Sequence, residues 1–104
     1  MLLNKKIEII KVSKESDGRG GWNYKEESKG YFWGRVVELS SSEVVRYLSA
    51  NLMVSGKVYI RNFDNDLELE LNDVIVCEGK RYLVKGVILI DKKNLYELLV
   101  SKEN

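Results

Sequence analysis

Acidic side chains at alternating positions are the first candidates for chemistry in this chain of 104 residues. The segment NFDNDLE, residues 62–68, offers oxygen atoms at every second position, as a calcium-binding loop does. The EF-hand pattern also requires a glycine at its sixth position, which here is Leu67. We therefore interpret this segment as a solvated turn, and we expect neither a metal nor another cofactor.

Glu68 and Glu70 could form a pair of carboxylates for acid–base chemistry if a cleft perturbed their pKa values. No second catalytic element accompanies them, because the chain contains no histidine and Cys77 is its only cysteine. Cys77 lies in the apolar run VIVC, which favours a small buried side chain over a reactive thiol. We therefore predict that the protein is not an enzyme. The two glutamates are expected at a solvated or interface-facing strand edge, where they would repel DNA if they lined a channel.

Aromatic side chains crowd residues 22–33, with basic side chains between them. This pattern can stack on single-stranded bases, or it can anchor a protein–protein interface. A third reading places Phe32 or Trp33 in the core, with the other aromatics covering it. We favour the interface, and the predicted interface or channel residues are Asp17, Arg19, Trp22, Tyr24, Lys25, Arg35, Arg46, Tyr59, Arg61, Glu68 and Glu70.

The polar segment 13–29 has no apolar repeat that could pack on a core. Its glycine-rich part, DGRGGWN, lacks the G-x-x-x-x-G-K-[ST] pattern and does not open a helix, so we expect no phosphate site there. Long loops in compact domains are usually functional or disordered. We predict a mobile loop over 13–29 that meets a partner, and residues 49–56 are a second candidate loop.

The remaining pattern predicts short strands and one helix. Ser40 and Glu43 form a capping box that begins the helix, and Gly34 suggests a bulge or a close backbone approach. Partial alternation near Ile7 and Ile9 also requires a bulge. Strands are predicted over 5–12, 30–39, 57–63, 67–71, 74–90 (a hairpin turning at Glu78-Gly79) and 95–100. The fold class is mainly β: an antiparallel sheet of about six strands curled into a small barrel or sandwich, as one domain over 1–104.

Charge and hydropathy restrict the function further. The net charge is +1 with both signs interspersed, whereas nucleic-acid binders usually show a basic excess. No apolar run approaches the roughly 20 residues needed to span a bilayer. The start, MLLNKKIEII, is too short and too charged for a signal peptide. We expect no membrane association and a location inside a cell, or inside an assembly made there.

The order of several short motifs resembles the head–tail joining family of tailed bacteriophages, the head-closure or stopper connector proteins. Each motif is short, and their order extends over roughly residues 5 to 100. They are a strand, a polar loop with Asp17-Gly18 and then Trp22, WGRV at 33–36, SSE at 41–43, VYIR at 58–61, GKRYLV at 79–84 and a closing aliphatic strand.

The resemblance implies a small antiparallel β-barrel with a short helix, located at the head–tail interface of the virion and in the host cytoplasm during assembly. It implies a ring of about six or twelve copies, which need not persist for the isolated protein. The implied partners are the portal or adaptor ring above and a tail-completion or tail-tube protein below. DNA would pass through the channel without sequence-specific binding, held by a loop. A single-stranded nucleic-acid-binding barrel and another tail-completion ring protein remain the alternatives.

Overall fold

The structure is a computed structural model that describes residues 3–61, 69–90 and 94–103. In this part of the chain, antiparallel strands close into a barrel in the order β1-β2-β3-β6-β5-β4, and one helix follows β2. The elements are β1 Lys5–Ser16, β2 Trp22–Glu38, α1 Ser41–Ser49, β3 Gly56–Arg61, β4 Val74–Cys77, β5 Lys80–Ile90 and β6 Leu95–Lys102. The predicted mainly β barrel with a single short helix is confirmed.

The barrel interior is filled by alternate side chains of its strands. Ile7 and Ile9 of β1 are fully buried, as are Val58 and Ile60 of β3. Burying one such aliphatic side chain contributes about 1.5–3 kcal/mol, so this cluster is the main source of the barrel's stability. The other members of the core are Ile75, Cys77, Tyr82, Val84, Leu98 and Val100.

Two local irregularities lie on β2. The register of β1 against β2 shifts between Glu8 and Ile10 with one extra residue on β2, so the bulge predicted for β1 is found in its partner strand instead. Gly34 lies where a Cβ atom would be 2.5 Å from the backbone oxygen of Tyr59, which confirms the close backbone approach. A larger residue at this position would push β2 away from β3.

The hairpin between β4 and β5 also agrees with the prediction. Glu78 and Gly79 both have positive φ values, 52° and 78°. Positive φ at both central residues is the geometry of the two-residue turn that suits the twist of paired strands. Cys77, at the end of β4, is buried, and burial raises the pKa of its thiol. It is therefore a core side chain.

Helix α1 begins with the predicted capping box. The Ser40 hydroxyl accepts the Glu43 N–H at 3.4 Å, and the Glu43 carboxylate accepts the Ser40 N–H at 3.4 Å. The Ser40 hydroxyl also donates to this carboxylate, and these hydrogen bonds lower the pKa of Glu43. No residue of the helix is buried, and Val45 and Leu48 are exposed. The helix therefore lies outside the barrel core and adds no buried side chain to it.

Two predicted elements are corrected. The prediction of a loop over 13–29 is wrong in its secondary structure, because β1 continues to Ser16 and β2 begins at Trp22. Cross-strand pairing forms strands here without an apolar repeat. A strand at 67–71 is not found over 69–71, which lie in irregular structure and a turn, while 67 and 68 lie outside the described residues. The predicted turn at 62–66 also lies outside them.

Candidate interaction surface on the first hairpin

The first hairpin extends well beyond the barrel wall. β4 pairs with β1 only over Ile7–Ile10, and β3 pairs with β2 only from Gly34 onward. Among the described strands, β1 and β2 pair only with each other over residues 11–16 and 22–27, as a two-stranded ribbon. We call residues 11–33 the projecting hairpin. Its position exposes both faces of a short sheet to solvent.

The turn at the tip is organised by Asp17. Its backbone N–H donates to the Gly21 carbonyl at 3.2 Å. Its carboxylate accepts the N–H groups of Arg19 at 2.7 Å and Gly21 at 3.0 Å. This is the side-chain-to-backbone bonding by which aspartate stabilises turns. Asp17 therefore shapes the tip, and Arg19 lies exposed at its end.

An exposed row of aromatic side chains lines one face of β2. The bulge brings two separate aromatic pairs onto this face, because Ser28 pairs with Ile10 whereas Tyr31 pairs with Glu8, which leaves one extra residue on β2. Glu26 and Ser28 lie between the two pairs on the same face. On β2, the even-numbered residues before the bulge therefore lie on the same face as the odd-numbered residues after it. We call this set the aromatic row, with exposed fractions of 57% for Trp22, 70% for Tyr24, 61% for Tyr31 and 61% for Trp33.

Two lysines of β1 lie over rings of the aromatic row. The ammonium nitrogen of Lys14 is 4.3 Å from the centre of the Trp22 ring, and that of Lys6 is 4.9 Å from the centre of the Tyr31 ring. Exposed cation–π contacts of this kind contribute about 0.5–1 kcal/mol each. They hold the Trp22 and Tyr31 rings in defined orientations. Glu8 and Glu26 lie on the same face, so its charges are mixed.

The opposite face of the projecting hairpin is polar. Lys25 lies there opposite Ser13, whose hydroxyl donates to the Lys25 carbonyl at 3.4 Å. Glu15 lies opposite Asn23 on the same face. The hairpin is thus amphipathic, with an aromatic face and a polar face, and Phe32 at its base packs against the core.

Ion pairs fix the base of the projecting hairpin. Lys11 lies 2.9 Å from the Asp73 carboxylate, which is almost fully buried. The same carboxylate accepts the Glu70 N–H at 2.8 Å. On the other strand, Arg81 of β5 lies 2.7 Å from the Glu26 carboxylate. Both strands of the hairpin are therefore tied to the barrel near its rim.

The remaining predicted site residues lie in other places. Arg35 is exposed beside Tyr59 in the β2–β3 pair. The Tyr59 hydroxyl donates to Glu97 at 3.0 Å, and burial together with this hydrogen bond raises the pKa of Tyr59. Arg46 and Arg61 are exposed, at the end of α1 and at the end of β3. Glu70 is exposed beside Asp73, and Glu68 lies outside the described residues.

The structure thus brings together five of the predicted residues and adds others. The projecting hairpin carries Asp17, Arg19, Trp22, Tyr24 and Lys25. Phe32 packs against the core whereas Trp33 is exposed, which decides between the two core candidates. Lys6, Lys14 and Arg81 also belong to this surface, although no pattern in the sequence predicts it. Only the position of the β2 bulge could have shown that Lys6 meets Tyr31.

The chemistry available on this surface is binding. Among the residues that the structure describes, no group of three or more His, Cys, Asp or Glu side chains could hold a metal ion. No helix in the same part of the chain is long and apolar enough to cross a membrane. What the surface does provide is aromatic area with fixed cations, which is typical of macromolecular interfaces.

Fold and surface together define a class of protein: a small antiparallel β-barrel that presents a projecting amphipathic hairpin. Residues 2–104 match the family described as phage head completion protein. The chain therefore belongs to the phage head completion protein family, and it is a structural component of the phage particle in the head–tail region. The resemblance seen in the order of its motifs is confirmed. A comparison with curated proteins finds no match.

Two solved structures are similar in fold. A protein of Shigella flexneri 2a, known from its solution structure, has a TM-score of 0.73 and 18% identity, covering 96% of this chain and 92% of that chain. A chain in the virion of a native gene transfer agent particle has a TM-score of 0.63 and 15% identity, covering 99% of this chain and 96% of that chain. At these identities the likeness shows the shared fold.

Proposed function

We propose that copies of this chain form a head-closure ring that joins the portal or adaptor to the tail and helps to retain packaged DNA. The protein acts by binding and performs no catalytic step. The observation that carries this proposal is the aromatic row, displayed on a projecting hairpin in a member of the head completion family. Exposed aromatic patches of this kind mark protein interaction sites.

A ring requires two different surfaces on each copy, because its contacts are head-to-tail. The projecting hairpin supplies one of them. The helix and the segment after it supply a second apolar surface, formed by Val45, Leu48 and Met53, which are all exposed. In the proposed assembly, these two surfaces bind the neighbouring copy, the portal or adaptor ring and a tail-completion or tail-tube protein.

For the passage of DNA, we propose that Glu70 faces the channel. Its side chain is exposed, and its backbone N–H is bound to Asp73, which holds the residue in place at the barrel rim. A carboxylate there repels phosphate and lets DNA slide without sticking. Glu70→Lys should change the fraction of DNA retained or ejected by purified particles, whereas Glu70→Gln should change it less. Equal behaviour of both variants and the wild type would remove Glu70 from the channel.

The proposal is tested by deleting the gene in the phage and supplying variants in trans. Without the chain, we expect heads that lose DNA and do not carry tails. The wild type should restore tailed, DNA-filled particles, and the double variant Trp22→Ala/Tyr24→Ala should not. Asn23→Ala, on the polar face of the same strand, is the matched control. Normal tailed particles in the complete absence of the chain would refute the proposal.

Lys6 and Lys14 beside the aromatic row also suit a single-stranded nucleic-acid site, which is the second candidate function. Fluorescence anisotropy with labelled oligonucleotides distinguishes the nucleic-acid site from the head-closure ring. Binding that weakens steeply with salt would favour the nucleic-acid site, and no binding at low salt would dismiss it. The third possibility is another tail-completion ring protein. It is tested by separating purified heads from free tails, since such a protein would remain with the tails.

A further inference from the structure

In the part of the chain that the structure describes, the projecting hairpin has two open edges. On the edge of β1 that faces away from β2, pairing with β4 stops at Ile10, and no described strand lies beside residues 12–16. On the edge of β2 that faces away from β1, pairing with β3 starts at Gly34, and no described strand lies beside residues 22–33. Open strand edges are templates for pairing with another chain, and isolated two-stranded ribbons are only marginally stable in water. These edges are therefore available to pair with a strand of another chain.

The alternation of antiparallel pairing shows which peptide groups are available at these edges. The Asp17 N–H bonds across the hairpin to the Gly21 carbonyl. Counting back from that bond along the register, the pairs Ser16–Trp22 and Lys14–Tyr24 are of the type without hydrogen bonds between the two strands. Their N–H and C=O groups consequently point outward, ready to bond a further strand.

The two edges of one hairpin complement each other. Within the hairpin, the register opposes Lys14 to Tyr24, Ser13 to Lys25 and Glu15 to Asn23, so no like charges face each other. If the β1 edge of a second copy lay beside the β2 edge in this same register, every one of these pairings would be repeated. Lys14 of that second copy would then also reach the aromatic row.

We propose that the projecting hairpins of neighbouring copies pair edge to edge, β2 of one copy with β1 of the next, in the register of the intramolecular pair. This inference rests on the proposed ring and identifies the surface that closes it. The contact is head-to-tail, and such contacts generate a closed ring when the rotation from copy to copy closes. In a closed ring, no hairpin edge stays open. The risk that an open edge pairs with a wrong chain, which each isolated subunit carries, is thereby removed.

Site-directed disulfides test the pairing in assembled particles. Ser13→Cys and Lys25→Cys chains are produced together in phage that lack the wild-type gene, and the purified particles are oxidised. Between copies, Ser13 and Lys25 form a pair without hydrogen bonds, in which the Cα atoms approach to about 4.5 Å and a disulfide can form. We expect a disulfide-linked dimer. Lys14→Cys with Lys25→Cys, whose side chains lie on opposite faces, should give none, and wild-type particles set the background from buried Cys77.

The outcomes separate the two proposals. If the variant chains are present in the particles but no Ser13–Lys25 dimer forms, edge pairing is wrong and the proposed function stands. If the wild-type chain is itself absent from the particles, the proposed function fails. A dimer formed equally well by the Lys14→Cys control would show contact without the proposed register and would also overturn the inference.

A second comparison tests the backbone contribution directly. Tyr24→Ala and Tyr24→Pro both remove the ring, but only Tyr24→Pro removes the outward N–H group. Proline is tolerated where a strand N–H faces solvent, so both isolated variants should have similar melting temperatures. In particles, Tyr24→Pro should be incorporated about tenfold less than Tyr24→Ala. Equal incorporation of two equally stable variants would contradict edge pairing.

Discussion

Nη2 of Arg81 lies 2.7 Å from Oε1 of Glu26, so a side chain of the barrel wall holds one strand of the projecting hairpin. The same guanidinium reaches Glu103 through Nε at 3.2 Å. Both carboxylates raise the pKa of Arg81 through these hydrogen bonds. An exposed ion-pair cluster therefore connects β2 of the hairpin to β5 of the barrel wall.

Removing this cluster should free the hairpin without unfolding the barrel. Exposed ion pairs contribute little, so Arg81→Gln should lower the free energy of unfolding by less than about 1 kcal/mol. Amide hydrogen exchange in residues 12–16 and 22–28 should nevertheless become faster, whereas exchange in β3 and β6 should not change. Lys5→Gln, which removes a different exposed ion pair, is the control. Unchanged exchange in the hairpin of Arg81→Gln would show that the cluster does not restrain it.

The buried ion pair at the hairpin base should matter more. Asp73→Ala leaves the Glu70 N–H and the Lys11 ammonium without their shared acceptor, so it should cost about 2–3 kcal/mol in urea unfolding. Asp73→Asn keeps an oxygen for the N–H and should cost less. Similar losses for the two variants would mean that the ion pair, and not the backbone hydrogen bond, dominates.

Gly34→Ala tests the close approach of β2 and β3. The added Cβ would lie 2.5 Å from the Tyr59 carbonyl oxygen, and the backbone can yield only by moving a strand. We expect a loss of about 1–3 kcal/mol in the free energy of unfolding. Gly86→Ala is the control, because its Cβ would meet Leu99 Cδ1 at 3.2 Å and this side chain can rotate away. Equal stability of the two variants would contradict the packing.

The helix cap should be visible in a pH titration. Hydrogen bonds from Ser40 lower the pKa of Glu43 below its ordinary value of 4.5. A carboxyl with a lowered pKa contributes stability that is complete above the ordinary value and is lost as the pH falls through the folded-state value. Ser40→Ala should raise the pKa of Glu43 in an NMR titration, and Ser41→Ala should not. An unchanged Glu43 titration in Ser40→Ala would refute the cap.

Much of the barrel could be predicted from the sequence, because local patterns specify it. Alternation at Val58 and Ile60, the turn at Glu78-Gly79 and the capping box at Ser40 each depend on near neighbours. The family resemblance added the barrel closure, which alternation alone left open between a barrel and a sandwich.

The projecting hairpin could not be predicted, for a physical reason. Its strands form by pairing with each other, and neither face is buried, so the usual apolar alternation is missing over 13–29. The aromatic row depends on the bulge between Ser28 and Tyr31, which changes the face of every residue that follows. Trp22 and Tyr24 were identified from residue type, whereas their association with Lys6 and Lys14 required the register. The predicted mobility of this segment in an isolated subunit stays a prediction.

A cryo-electron microscopy reconstruction of the head–tail junction of purified particles tests the central claim most directly. The proposed function predicts a ring of about six or twelve copies between the portal or adaptor and the tail. In that ring, residues 13–29 of each copy should lie against a neighbouring chain. Density for the chain elsewhere in the particle, or a ring whose hairpins extend into solvent without contact, would contradict the account.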